Sequence, residues 1–144
     1  MPTSKTFLPD VNVWLALASR RHVHSPTCAG WLRSIDSGEV MFCRVTQMGL
    51  LRLLTNEAVM GSDVISSSDA WRVYRAILAD RRIQFAAEPF ALELEWKKLS
   101  SFDRPMPKGW TDAYLAAFAR SAGMQLVTLD KAAFSMAREA ILLK

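Results

Sequence analysis

The stretch 108–134 constrains the fold more than any other part of this 144-residue chain. It begins with a helical pattern rich in alanine and leucine, for which Thr111 is a suitable N-cap and Asp112 an acidic residue in the first turn. Gly123 is a suitable end for that helix, and a short apolar run typical of a buried strand follows it. Asp130 comes directly after this strand. A helix, a tight turn and a buried strand in this order are typical of an α/β protein.

Similar patterns recur along the rest of the chain. Four further segments have strand patterns, three of them followed by helical patterns: 6–10, 40–45, 83–87 and 141–143. Pro9 lacks an N–H group and should end the first strand. We expect Thr46 to cap the helix after the second strand, and the five tryptophans to lie in the core. The alternation predicts a parallel sheet with helices on both faces, in one domain spanning residues 1–144.

Composition and charge exclude several classes of protein. Hydrophobic residues make up 51% and charged residues 22% of the chain, as in a globular domain, and no apolar run reaches the ~20 residues that cross a bilayer. The N-terminus lacks the layout of a secretory signal, so we expect a cytoplasmic protein without a membrane partner. Cys28 and Cys43 provide neither a disulfide framework nor a zinc-type spacing. The net charge of +4 permits a polyanionic partner without requiring one.

Three aspartates are predicted to meet at one edge of the sheet. Asp10 and Asp130 each follow a strand, and Asp112 begins the helix before the last of these strands. In open α/β sheets ligands bind outside the carboxyl ends of the strands. Neighbouring carboxylates repel each other, and a hard cation such as Mg²⁺ relieves that repulsion. The three aspartates therefore predict a cation site, although for Asp10 alone helix capping fits the sequence equally well.

Gly49 is a poor residue for the interior of the predicted helix that contains it. A glycine at such a position either lets another backbone approach closely or leaves room for a ligand. Gln47 and Arg52 are the polar side chains nearest to it in the sequence. They are candidates for contact with an anion.

Four segments together resemble the PIN-domain toxins of bacterial VapBC toxin–antitoxin modules. In chain order they are DVNVWLAL from Asp10, TQxGxLRLLTN from Thr46, WTDAYLAA from Trp110 and LVTLD from Leu126. The order and spacing match over nearly the whole chain. The resemblance implies a PIN-like three-layer α/β/α sandwich around a parallel sheet of four to five strands, and an endoribonuclease dependent on Mg²⁺ or Mn²⁺. It also implies an RNA substrate, a cognate antitoxin that covers the site, and a homodimer.

The same resemblance implies roles for individual residues. The positions that match the metal-holding and catalytic carboxylates of the family are Asp10, Asp112 and Asp130. Asn12 and Thr128 match polar positions beside them. Many members carry a glutamate where this chain has Gly49, so the metal has one fewer protein carboxylate. The implied reaction is hydrolysis of an RNA phosphodiester bond by a metal-activated water, with Gln47 and Arg52 near the phosphate.

Two other functions fit parts of the sequence. A PIN fold that lacks the glutamate at Gly49 also suits a nucleic-acid- or protein-binding module with weak or no catalytic activity. A metal-dependent phosphohydrolase acting on small molecules would share the aspartates, but an aspartyl-phosphate enzyme would need a second aspartate where Asn12 stands. Turnover that requires Mg²⁺ or Mn²⁺ and stops with a chelator distinguishes the nuclease from the binding module.

Overall fold

A computed structural model describes residues 5–144. Five parallel strands form one sheet in the order β3-β2-β1-β4-β5. The strands are β1 (Thr6–Pro9), β2 (Glu39–Phe42), β3 (Ile83–Phe85), β4 (Gln125–Thr128) and β5 (Ala140–Leu142). The predicted parallel sheet is confirmed, with β5 at its edge and β1 at its centre.

Helices connect the strands and cover both faces of the sheet. Within residues 5–144 the α-helices are α1 (Val11–Ala18), α2 (Ser25–Arg33), α3 (Arg44–Leu54), α4 (Glu57–Met60), α5 (Ser67–Ile77), α6 (Leu92–Ser100), α7 (Gly109–Ala122) and α8 (Lys131–Met136). A 3-10 turn, Gly61–Asp63, follows α4. No helix in this part of the chain has both the length and the apolar character needed to span a membrane.

The central strand β1 separates two hydrophobic cores. Phe7 packs in the core formed with α1, α2, α3 and α5, whereas the next residue, Leu8, packs in the core formed with α6 and α7. Successive side chains of a strand point to opposite faces, so a strand covered on both faces buries every residue. Pro9 ends β1 as predicted, and the chain passes directly to the edge of the sheet where the predicted carboxylates lie.

The helix after β2 begins earlier than predicted. β2 ends at Phe42, so Cys43 is the N-cap of α3 and Thr46 is its third residue; the prediction that Thr46 is the cap is wrong. The Thr46 hydroxyl accepts a hydrogen bond from the Cys43 N–H at 3.0 Å. This completes a capping box in which threonine takes the place usually held by glutamate or glutamine.

The long helix α7 also begins before its predicted start. Its N-cap is Lys108, so Thr111 lies inside the first turn, while Asp112 remains in that turn as predicted. Gly123 ends α7 with a φ of 69°, a left-handed conformation that glycine adopts without steric cost.

The tryptophans do not all lie in the core. Trp14 is fully buried and stacks on Phe42, with ring centroids 3.7 Å apart. Trp71 and Trp110 are 44% and 56% exposed, so the prediction of five core tryptophans is wrong for these two. Helical spacing shows which residues share a face, but the neighbouring elements decide whether that face is covered.

Candidate active site

Asp10 has the capping role that the sequence allowed for it. It follows the central strand β1 and caps α1, where its Oδ1 accepts a hydrogen bond from the Val13 N–H at 3.2 Å. Its Oδ2 accepts a hydrogen bond from the Thr128 hydroxyl. The side chain is only 8% exposed. Asp10 is therefore a buried carboxylate held in one orientation by groups on both sides.

Thr128 connects two of the predicted site residues. It is the last residue of β4, the strand next to β1, and it is fully buried. Its hydroxyl donates to Asp10 and accepts a hydrogen bond from the Asp130 N–H at 3.0 Å. A buried hydroxyl satisfied in this way fixes its neighbours. Thr128 thus couples the end of β4 to the carboxylate at the end of β1.

Asp112 and Asp130 are more open to solvent than Asp10 and Thr128. Asp130 is exposed and caps α8, with its Oδ1 accepting from the Ala132 N–H at 2.9 Å. Asp112 is half-buried in the first turn of α7, and its carboxylate makes no hydrogen bond to any residue between 5 and 144. The free oxygens of these two side chains remain available to a ligand.

The three carboxylates influence one another electrostatically. Burial raises the pKa of Asp10; the hydrogen bonds from Thr128 and Val13 oppose this shift, and the charge of Asp112 adds to it. Burial also raises the pKa of Asp112, and the charge of Asp130 contributes to the shift. No lysine or arginine of the described chain forms an ion pair with any of the three. Negative charge therefore collects at this edge without a compensating cation from the protein.

The donor set fits a hard divalent cation held partly through water. Within residues 5–144 no three carboxylate, imidazole or thiol side chains lie close enough together to hold one metal ion directly. Mg²⁺ usually takes one or two protein carboxylates and keeps several waters. The free oxygens of Asp112 and Asp130, beside the fixed carboxylate of Asp10, suit that pattern of binding.

Gly49 serves close packing of two helices. A Cβ atom at this position would overlap Val11 Cγ2 and lie 3.4 Å from Val11 Cβ. The group that approaches Gly49 is therefore the Val11 side chain and not another backbone, and an open cleft of about 360 Å³ lined by Gly49, Arg52 and Thr111 lies alongside. A glutamate at position 49 has no room unless Val11 moves.

The structure does not bring all the side chains predicted to contact the substrate to one place. Gln47 is 7% exposed, and its Oε1 accepts from Arg44 Nη1 at 2.6 Å, so its carbonyl oxygen is already engaged. Arg52 is exposed and lines the cleft at Gly49. Asn12 is exposed on α1 and lines a different cleft of about 380 Å³ beside Arg21.

Sequence reasoning missed Arg44. This exposed arginine is the first residue of α3, and its guanidinium lies 4.6 Å from the centre of the ring of Phe85, the last residue of β3. The ring and Gln47 together hold the cation in place at the same edge of the sheet as the aspartates. Its position two residues after β2 was the available signal, because polar residues that follow parallel strands collect at that edge.

Comparison with known proteins agrees with this arrangement. Residues 7–139 match the family model described as PIN domain. The chain is 48% identical to Ribonuclease VapC41 of Mycobacterium tuberculosis over 130 residues, covering 87% of this chain and 89% of that protein. It is 33% identical to Ribonuclease VapC38 of the same organism, with 92% and 90% of the two chains covered.

Solved structures share the fold at low sequence identity. VapC20 of Mycobacterium tuberculosis, described as a Sarcin-Ricin loop cleaving toxin, superposes with a TM-score of 0.63 at 20% identity, covering 90% of this chain and 93% of that one. VapBC2 of Rickettsia felis, solved with a DNA fragment from its promoter, gives 0.64 at 11% identity, covering 95% and 96%. With the family match and the 48% identity, these findings show that the chain belongs to the PIN-domain family and, within it, to the VapC ribonucleases.

Proposed function

We propose that this chain is an endoribonuclease dependent on Mg²⁺ or Mn²⁺, acting as the toxin of a type II toxin–antitoxin module, and that one PIN domain spans residues 1–144. The observation that carries the proposal is the group of Asp10, Asp112 and Asp130 at one edge of the sheet. Burial and mutual repulsion raise the pKa of the first two, and no protein cation within the described chain pairs with them. Sites with this combination are frequently functional.

The three aspartates would have different roles in metal binding. Asp112 and Asp130 would offer free oxygens to the metal, and Asp10 would act through bound water with the lone pairs that its two hydrogen bonds leave. Thr128 keeps the Asp10 carboxylate in one orientation, as outer hydrogen-bond partners of metal ligands commonly do. A divalent ion at this position would polarise the scissile phosphate and lower the pKa of an attacking water.

Two arginines are placed to bind the phosphate chain of the substrate. Arg44 is held by Gln47 and the Phe85 ring, so little side-chain freedom is lost when it meets an anion. Arg52 lies in the open cleft beside Gly49. Guanidinium groups pair with phosphate oxygens in a planar, two-point contact. We assign Arg44 the stronger role, since it is already oriented.

The protein partners that we propose are those that membership of the VapC family implies. VapBC2 of Rickettsia felis is a toxin–antitoxin complex by name, and it shares the fold of this chain. We propose that a cognate antitoxin covers the edge bearing the aspartates and that the toxin forms a homodimer. A protein that covers the carboxylates would block both metal and RNA, because both need the same edge of the sheet.

The proposal is tested by Mn²⁺ titration calorimetry and an RNA cleavage assay on the same purified, antitoxin-free samples. Asp112→Asn should abolish saturable Mn²⁺ binding and cleavage while the circular dichroism spectrum stays unchanged. Asp69→Asn is the matched control, because Asp69 also lies in the first turn of a helix but outside the site. Undiminished cleavage by folded Asp112→Asn protein, or cleavage that persists in excess chelator, would contradict the assignment.

One observation favours a second candidate, a PIN-fold binding module with little catalysis. The packing of Val11 against Gly49 leaves no room for the glutamate that many family members carry. This module would bind RNA without metal and cleave nothing when Mg²⁺ or Mn²⁺ is added. The calorimetric and cleavage measurements on the unmutated protein therefore separate the two functions directly.

A further inference from the structure

The geometry points to a base-binding subsite next to the proposed active site: we propose that Trp110 stacks on an unpaired base of the RNA strand, while Lys97 and Arg104 contact the adjoining phosphates. This inference rests on the proposed RNA substrate. Trp110 and Asp112 both lie in the first turns of α7 and point to different sides of the helix, so an RNA strand bound at Trp110 reaches the carboxylates by passing around this end of the helix. The substrate class is then single-stranded RNA or an unpaired loop.

The indole of Trp110 is exposed to solvent and packs against a second tryptophan ring. It is 56% exposed, and Trp96 meets it edge to face with ring centroids 6.3 Å apart. Trp96 Nε1 also donates a hydrogen bond to the Trp110 carbonyl oxygen at 3.0 Å. Trp96 is itself edge-on to the buried ring of Tyr114 at 5.5 Å. These contacts fix the start of α7 and leave the indole open to a stacking partner.

The cleft beside Trp110 has the size of a nucleotide site. Its volume is about 790 Å³, and Lys97, Phe102, Arg104 and Trp110 are among the residues that line it. The proline-rich loop forms the other wall, because Phe102 packs against Gly109, where an added Cβ would lie 2.8 Å from Phe102 Cε2. Ligand clefts in proteins commonly fall in the range of about 300–1,000 Å³.

The charges of this cleft favour a nucleic acid over a protein. Lys97 and Arg104 form no ion pair with any carboxylate of residues 5–144, and the nearest polar contact of Arg104 is a weak hydrogen bond from its Nε to Met106 Sδ at 3.3 Å. Among the described residues that line the cleft, Asp103 is the one acidic side chain, against these two cations. An exposed aromatic ring beside free cations is the arrangement by which proteins bind single strands: the ring stacks on bases and the cations follow the phosphates.

The test measures binding in EDTA, by fluorescence anisotropy of a short fluorescein-labelled oligouridylate. Stacking on an aromatic ring is worth about 1–3 kcal/mol per base, so Trp110→Ala should weaken binding by about 5- to 140-fold, and Trp110→Phe should retain most of the affinity. Trp71→Ala is the matched control, because Trp71 is also exposed and edge-on to an aromatic ring, Tyr74. It should leave binding unchanged.

A second probe asks whether the base itself is bound. An abasic ribose-phosphate chain of the same length should bind the unmutated protein and Trp110→Ala equally, whereas Lys97→Ala and Arg104→Ala should weaken both probes and reduce the salt dependence of binding. Equal affinity of oligouridylate for Trp110→Ala and the unmutated protein would overturn the subsite. So would a change in oligomeric mass or in antitoxin affinity without a change in RNA affinity, since the face would then belong to a protein partner.

The same experiments can refute this inference without refuting the proposed function, and the reverse. If no sample cleaves RNA with Mn²⁺ but oligouridylate binding depends on Trp110, the subsite stands and the nuclease assignment fails. If cleavage depends on Asp112 while both Trp110 variants bind and cleave normally, the nuclease stands and the subsite is wrong. Should Trp110→Ala unfold, Trp110→Leu, which retains apolar bulk without a flat ring, provides the same comparison.

Discussion

The contact between Val11 and Gly49 predicts that Gly49→Ala destabilises the protein, although glycine-to-alanine substitutions inside helices usually stabilise. Alanine in place of glycine inside a helix normally stabilises a protein by about 1 kcal/mol. At position 49 the added methyl group overlaps Val11 Cγ2, and overpacking of this kind costs about 1–3 kcal/mol. Val11 is β-branched and stiff, so it cannot easily turn away. We expect Gly49→Ala to lower the free energy of unfolding by up to about 2 kcal/mol.

The same substitution should stabilise the protein once Val11 is shortened. In a Val11→Ala background the overlapping methyl group is absent, so Gly49→Ala should raise the free energy of unfolding by about 1 kcal/mol. The two sites are then coupled by about 1–3 kcal/mol, which urea unfolding followed by circular dichroism measures through a double-mutant cycle. Gly30→Ala is the control, because an added Cβ in α2 meets only Arg33 Nη2 at 3.8 Å.

Either of two results would refute this reasoning. The first is an equal effect of Gly49→Ala in both backgrounds, which would mean that Val11 does not limit position 49. The second is stabilisation by Gly49→Ala in the otherwise unmutated protein, equal to that of Gly30→Ala. If the coupling is found, Gly49→Glu alone cannot supply a further metal-binding carboxylate, because its Cβ meets the same obstacle.

Three further predictions concern stability and reactivity. Arg82→Ala should lower the free energy of unfolding by about 2 kcal/mol, because Arg82 Nη1 donates to two backbone carbonyls at and after the end of α2, at 2.7 and 2.8 Å. The hydrogen bond from Arg82 holds the pKa of Asp80 below its ordinary value. The pair therefore stabilises the fold fully above the pKa of Asp80 in the unfolded state, and this stabilisation is lost as the pH falls through the lower pKa of the folded state. Asp80→Asn should flatten this acidic part of a plot of unfolding free energy against pH. Burial raises the pKa of Cys28 to about 11, and both Cys28 and Cys43 are buried, so iodoacetamide should label neither thiol in mass spectra of the native protein and both after unfolding.

Local sequence signals were sufficient to predict the framework of the site. A strand that ends at Pro9 delivers Asp10 to the edge of the sheet, and the run before Asp130 does the same on the neighbouring strand. Asp112 lies in the first turn of α7 and Gly123 ends that helix, as their residue types predict. These features depend on backbone hydrogen bonding and helix capping within a few residues. Periodicity and caps in the sequence specify them without knowledge of the remaining chain.

The sequence did not reveal which side chains are free to act. Gln47 was a candidate for phosphate contact, but Arg44 occupies its carbonyl oxygen and becomes the oriented cation itself. Trp110 fits a core helix by its spacing, yet its neighbours leave it 56% exposed. The hydrogen bond between Arg44 and Gln47 lies within α3, but the ring that orients Arg44 belongs to β3. The exposure of Trp110 likewise depends on which neighbouring elements cover it.

The sequence by itself therefore determined the parallel α/β sheet, its helices and the edge at which the aspartates meet. The tertiary structure alone decided that Gly49 packs against Val11, that Thr128 links Asp10 to Asp130, and that the indole of Trp110 is open to solvent. The physical reason is the range of the interactions: secondary structure arises from hydrogen bonds and hydrophobic periodicity along a short segment, whereas contact, burial and pKa depend on atoms that only the folded chain brings together.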